Sequence, residues 1–184
     1  SVITIEAGKT TGTVTVPAPA DDVYKDAGKV EVSITGTSGG NFENLVPSTV
    51  PAVTEVTDTI DTSTVKLTAD TSVAEGGTVT YTATVGAPVT GSPVVVTLAN
   101  GQTITIEVGK TTGTATTTAP NDALNGHEPL TNAITDVSGG NYENLVADKT
   151  PVSTNVTDTV DTTNLSLTAT GTVAEGGSIV YTAT

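Results

Sequence analysis

The chain repeats itself at a spacing near 100 residues, and that period sets the size of what it can fold into. Val56-Thr-Asp-Thr-Ile-Asp61 returns as Val156-Thr-Asp-Thr-Val-Asp161, 100 positions later. Val73-Ala-Glu-Gly-Gly77 returns at Val173 to Gly177, and Ser38-Gly-Gly-Asn-Phe-Glu-Asn-Leu-Val46 returns as Ser138-Gly-Gly-Asn-Tyr-Glu-Asn-Leu-Val146, at the same spacing. Ile3 to Gly12 returns at Ile104 to Gly113, offset by 101, so one residue is gained or lost between copies; the expected place is between Asp22 and Ile34. Solenoid and propeller repeats are far shorter than this, and about 100 residues is the size of a whole domain. The expected division is 1–57 as the later part of one unit, 58–157 as a complete unit, and 158–184 as the opening of a third.

Composition narrows the chemistry. With 6 basic and 20 acidic residues the formal charge is −14, the opposite of a nucleic-acid footprint. Cys is absent, so neither disulfides nor thiol chemistry is available. No apolar run is long enough for a membrane span, and no signal-peptide pattern opens the segment, so any targeting signal is expected outside it. Thr makes up 42 of the 184 residues and alternates with Val and Ile. Thr is β-branched and suits a pleated, half-buried surface, so the alternation predicts strands with Val inward and Thr outward.

The full unit reads as seven short strands: 64–69, 78–85, 93–98, 103–108, 114–118, 131–136 and one near 152–157. Val79, Tyr81, Ala83 and Val85 should share the inner face of the second. Asn100-Gly101 predicts a two-residue type I′ hairpin. Seven strands in about 100 residues predict an all-β, immunoglobulin-like sandwich built without its usual disulfide, with a jelly roll or small barrel as the structural alternative.

If strands run alternately up and down, one end of the full unit gathers Glu75, Asp122, Asp158 and Asp161. At the preceding junction Asp21 and Asp22 occupy the loop equivalent to Asp122, with Asp58 and Asp61 in the linker. The other end of the full unit, 86–92, 109–112 and 138–144, faces that earlier linker. Unit charges about 4 Å apart interact by roughly 4 kcal/mol at a protein surface, and the chain contains no Arg to offset them. A hard divalent cation with oxygen ligands is the expected partner, calcium in preference to magnesium because it accepts 6–8 oxygens in flexible geometry. Taken singly, Asp58, Asp61, Asp158 and Asp161 are equally readable as Asx turn caps. Neither linker matches the EF-hand pattern or the calcium-binding nonapeptide. His127 has no counterpart in the earlier copy, which argues against a catalytic or metal role for it. The inventory offers no nucleophile–base set, and acids that recur every 100 residues suit a structural element better than an active site.

Val56 to Asp61, Val73 to Gly77, Pro19-Ala-Asp21-Asp22-Val-Tyr24 and Gly39-Gly-Asn-Phe-Glu-Asn-Leu45 resemble the tandem immunoglobulin-like extender repeats of giant type I-secreted, RTX/LapA-like biofilm adhesins of Gram-negative bacteria. The resemblance spans essentially the whole chain. It implies a non-catalytic, extracellular spacer of an outer-membrane-anchored adhesin. Its partners would be neighbouring repeats of the same chain, and calcium at the linkers would stiffen the array. Asp58, Asp61, Asp158 and Asp161 match the linker positions; Glu75, Asp21 and Asp122 match the end-loop acids. The second copy reads Asn121-Asp122-Ala where the first reads Ala20-Asp21-Asp22-Val, one carboxylate fewer. A carbohydrate- or protein-binding module acting through its end loops, such as 138–144, is the alternative. The incomplete end units should present open strand edges, or pair with each other.

Overall fold

The computed structural model describes residues 1–184 and contains strands and turns without a helix. The strands are β1 (Gly28–Val32), β2 (Ala52–Val56), β3 (Thr62–Ala69), β4 (Ser72–Ala74), β5 (Thr78–Thr84), β6 (Val94–Leu98), β7 (Thr103–Ile106), β8 (Thr112–Thr118), β9 (Leu130–Asn132), β10 (Ile134–Gly139), β11 (Asn144–Ala147), β12 (Val152–Thr157), β13 (Leu167–Ala169) and β14 (Tyr181–Ala183).

Strands β3 to β12 form two facing sheets. The first has the order β11–β3–β5–β8, with β11 parallel to β3 and the other pairs antiparallel. In the second, β4 lies parallel to β12, β12 pairs with β9, and β10 pairs with β6 and then β7. β9 and β10 are one strand interrupted at Ala133, and the register against β6 shifts between Ile134 and Asp136. A single irregular strand therefore links both halves of the second sheet. This is the immunoglobulin-like sandwich, and the parallel β4–β12 pair shows the chain crossing from one sheet to the other after Ala69.

Threonine alternation works as expected. Along β5, Val79, Tyr81 and Ala83 are buried and the intervening threonines are not. Val65 and Leu67 join them from β3; Val94, Val96, Leu98, Ile104, Ile106 and Ile134 face them from the second sheet. The core is almost wholly aliphatic, with Tyr81 and Tyr142 as its aromatics. Small, stiff side chains fill the narrow space between sheets about 10 Å apart.

Three local expectations change. The Asn100-Gly101 turn is not type I′: Gly101 is left-handed at φ 84°, but Asn100 has negative φ. Gly101 N–H donates to Leu98 O at 3.0 Å, a β-turn over 98–101, and Leu98 N–H donates to Gln102 O at 2.9 Å, which closes a three-residue hairpin loop at 99–101. Asn100 is held there because its N–H donates to Asn132 Oδ1 and its own Oδ1 accepts Gln102 N–H. Two short strands, β4 and β11, lie outside the seven expected. Each has three or four residues and exists because a parallel neighbour supplies its hydrogen bonds.

The third change concerns the extra residue. Asp22 Oδ1 accepts Tyr24 N–H and Asp122 Oδ1 accepts Leu124 N–H, both at 2.7 Å. Asp58 Oδ2 accepts Asp26 N–H, and Asp158 Oδ2 accepts Gly126 N–H. These paired bonds are 100 apart, so the extra residue lies before Asp22 rather than after it. Pro19 and Pro120 are still offset by 101, which confines it to the two positions between Pro19 and Asp22.

The same sequence is buried in one copy and bare in another. Ile104 and Ile106 are fully buried, whereas Ile3 and Ile5 are 56% and 57% exposed. Tyr81 is 2% exposed and Tyr181 66%. In 1–57 only β1 and β2 pair, and in 158–184 only β13 and β14; the two end segments do not pair with each other. Ile104→Ala is expected to cost about 2–5 kcal/mol, the usual range for emptying a core site, while Ile3→Ala should stay within about 0.5 kcal/mol. Urea unfolding of both variants checks this, and equal costs would mean that 1–57 has a core of its own.

Candidate metal centres at the two junctions

The first junction is made by residues 21–26, the linker at 58–61 and the loop at 138–144. Val23 O accepts Glu143 N–H, and Lys25 N–H donates to Asn141 O, both at 3.0 Å, a short antiparallel bridge centred on Tyr24 and Tyr142. The two rings lie 5.5 Å apart, and their hydroxyls donate to Pro88 O and Ala87 O at 2.6 Å. Glu143 Oε2 accepts Asp61 N–H at 2.6 Å. The loop 138–144 thus faces the earlier linker as expected, and its polar groups are taken up by the neighbouring segment. Gly139 lets the loop turn there: its φ is 86°, and a Cβ would stand 2.1 Å from Pro93 O.

Beside this bridge, Asp21, Asp22, Asp26 and Asp58 line one cleft with Thr59 and Lys29. Asp21 Oδ1 accepts the Thr59 hydroxyl at 2.5 Å. Asp22 and Asp58 are each fixed through one oxygen by the backbone bonds described above. Asp26 is held above the usual carboxylate range, chiefly by the charge of Asp22, then by desolvation and by Asp58 and Asp21. Its proton affinity reports mutual repulsion. Lys29 lines the cleft, yet the chain's only ion pairs within 4.0 Å are those of His127.

The second junction brings Glu75, Asp122 and Asp158 together, and places His127 among them. His127 Nε2 is 2.8 Å from Glu75 Oε2 and 4.0 Å from Asp158 Oδ1. Glu75 Oε1 accepts both the N–H and the hydroxyl of Thr159 at 2.7 Å. The turn that carries Glu75 is tied to the linker and to the 119–123 loop: Glu75 N–H donates to Thr157 O, and Gly76 N–H to Pro120 O. The Glu75 carboxyl is held down to about 2 by the Thr159 hydroxyl, then by His127 and the Thr159 N–H. His127 is raised above 6.5, first by its hydrogen bond to Glu75, which outweighs its burial.

Of the eight acids expected at the junctions, six fall into the two clusters. Asp61 offers its backbone N–H to Glu143, and Asp161 is exposed with no hydrogen bond. Asp26 and His127 join the clusters without having been candidates. Neither occurs in the other copy, where Gly126 and Ala27 stand instead. Sequence repetition therefore hid both of them; the one available signal was the acidic character of Asp26, close behind Asp21 and Asp22.

The two shifts at the second junction define a pH window. A depressed carboxyl contributes stability above its ordinary 4.5 and loses it as pH falls towards about 2. A raised imidazole contributes fully below 6.5 and loses its share as pH rises through its folded value. Both contributions are complete only between about 4.5 and 6.5. In buffer free of divalent ions, the thermal midpoint should be highest in that window, and Glu75→Gln should flatten the dependence on both sides. Calorimetric scans across pH check this; an identical profile in the variant would count against the pair.

Neither the curated proteins nor the solved structures give a match. The LapA domain matches residues 1–59 and again 61–159, with the break inside the acidic linker. Taken with the all-β sandwich and the recurring junction acids, this means that the chain belongs to the LapA domain family and is an adhesin-related segment of a cell-surface, extracellular protein.

Proposed function

We propose that the chain is a non-catalytic extender segment of an adhesin anchored on a Gram-negative outer membrane, with units at 1–57, 58–157 and 158–184. Its work is mechanical. It carries a distal adhesive region away from the cell for surface attachment or biofilm formation, and its direct partners are the neighbouring units of the same chain.

Calcium at the junctions supplies the stiffness. The observation that carries this reading is the first cleft, where Asp21, Asp22, Asp26 and Asp58 converge without a lysine in ion-pair range. Every donor there is oxygen, as a hard cation requires. Glu75, Asp122 and Asp158 form the corresponding group one unit later, with Asp61 and Asp161 near enough in sequence to add outer ligands. Without the ion, acids on both sides of a joint repel and the linker swings. With it, charge repulsion becomes shared coordination, and the angle between units is fixed.

Small-angle scattering with calcium and then with a chelator tests this. The radius of gyration should increase and the distance distribution should sharpen when calcium is present. At calcium 100-fold above its Kd, the junction should gain about 2.7 kcal/mol of stability. Asp26→Asn with Asp58→Asn should remove the response, while easing the repulsion in calcium-free buffer. A scattering curve indifferent to calcium would refute the reading.

A further inference from the structure

His127 is the only histidine in a chain without cysteine, and it changes what the second junction can hold. Its Nε2 faces Glu75 Oε2 at 2.8 Å and Asp158 Oδ1 at 4.0 Å. A carboxylate oxygen of Asp122 completes the group, within 4.8 Å of the Glu75 and His127 atoms. The Glu75 side chain is 1% exposed and that of His127 10%, whereas Asp122 is exposed and Asp158 is 33% exposed, so the group is buried on the Glu75 side and open on the aspartate side.

The carboxylates are also aimed. Thr159 holds Glu75 by Oε1, which leaves Oε2 turned to the imidazole. Gly126 N–H holds Asp158 by Oδ2, with Oδ1 on the imidazole side. Leu124 N–H fixes Asp122 by Oδ1. Anchoring one oxygen while the other stays available is what outer hydrogen bonds do around a metal ligand.

The geometry points to a transition-metal site: the second junction takes a borderline divalent ion of the zinc class through His127, Glu75 and Asp122, with Asp158 beside them. This rests on reading the junctions as ion-tied joints, and it assigns different ions to the two. Calcium selects oxygen alone and wants six to eight of them. Imidazole suits zinc, copper and nickel, and one nitrogen with two carboxylates supplies three protein ligands, a number zinc completes with water. Two ligands at zinc distance and tetrahedral angle stand about 3.3 Å apart; His127 Nε2 and Glu75 Oε2 are 2.8 Å apart and an Asp122 oxygen lies within 4.8 Å of both, so closing the site requires side-chain movement. In the first junction, Asp26 and Ala27 replace Gly126 and His127, which returns that cleft to oxygen alone.

The test titrates the tag-free 184-residue chain with zinc chloride and, separately, calcium chloride by calorimetry, while NMR follows the lone imidazole. Zinc should bind once per chain with a shift of the His127 ring signals. His127→Ala should weaken zinc by about tenfold or more and leave calcium unchanged. His127→Gln, which keeps a donor for Glu75, should lose zinc while still unfolding in one cooperative transition. Asp58→Asn should weaken calcium and leave zinc alone. Zinc binding unchanged in both His127 variants, or no ring shift in the wild type, overturns the inference. Calcium binding without the zinc effect would leave the calcium reading standing alone; zinc at His127 without calcium anywhere would remove that reading and keep this one.

Discussion

A strand with period-two patterning can hide only one face, and it hides that face only when a second sheet lies opposite. Everything else in this chain follows from that constraint. Val79, Tyr81 and Ala83 disappear into a core because β6, β7 and β10 close over them. Ile179 and Tyr181 carry the same pattern 100 residues later and stay more than half exposed, because no opposing sheet is present for them. Burial here belongs to the assembled pair of sheets rather than to any strand.

Closure of the sandwich sends alternate loops to opposite ends, and the ends are where charge collects. The threonine-covered flanks hold few charges, and the lysines are not used to neutralise the acids. Carboxylates placed at the junctions therefore face one another, and the two junctions meet this differently. The first leaves repulsion in place, visible in the raised proton affinity of Asp26. The second inserts an imidazole: the Thr159 hydroxyl and then His127 lower Glu75, and His127 is itself raised by Glu75. One scaffold thus offers an oxygen-only cleft and a nitrogen-containing cluster one unit apart, which differ at Asp26-Ala27 against Gly126-His127, in the additional Asp21 of the first and in the Glu75 of the second.

Much of this was legible before any fold was seen. Strand alternation, the sandwich, and the meeting of Glu75, Asp122 and Asp158 all follow from periodicity and from counting strands up and down. The same counting placed the 138–144 loop against the earlier linker. Where the reading failed, the missing term was a contact distant in sequence. The pair Asn-Gly favours a left-handed Asn, but Asn132 Oδ1 accepts the Asn100 N–H from 32 residues away and holds it otherwise. β4 and β11 are too short to announce themselves and depend on parallel neighbours. Repetition favoured residues that both copies share, and so it passed over Asp26 and discounted His127.

The sequence by itself determined the unit length, the inward and outward faces of the strands, the acidic ends and the family resemblance, because these depend on residue order within one unit. Tertiary structure decided which carboxylate oxygens are anchored and which stay available, where the extra residue sits, and that a lone histidine stands among three acids. Those outcomes depend on distances between loops 32 to 84 residues apart along the chain, and only the closed sandwich fixes such distances.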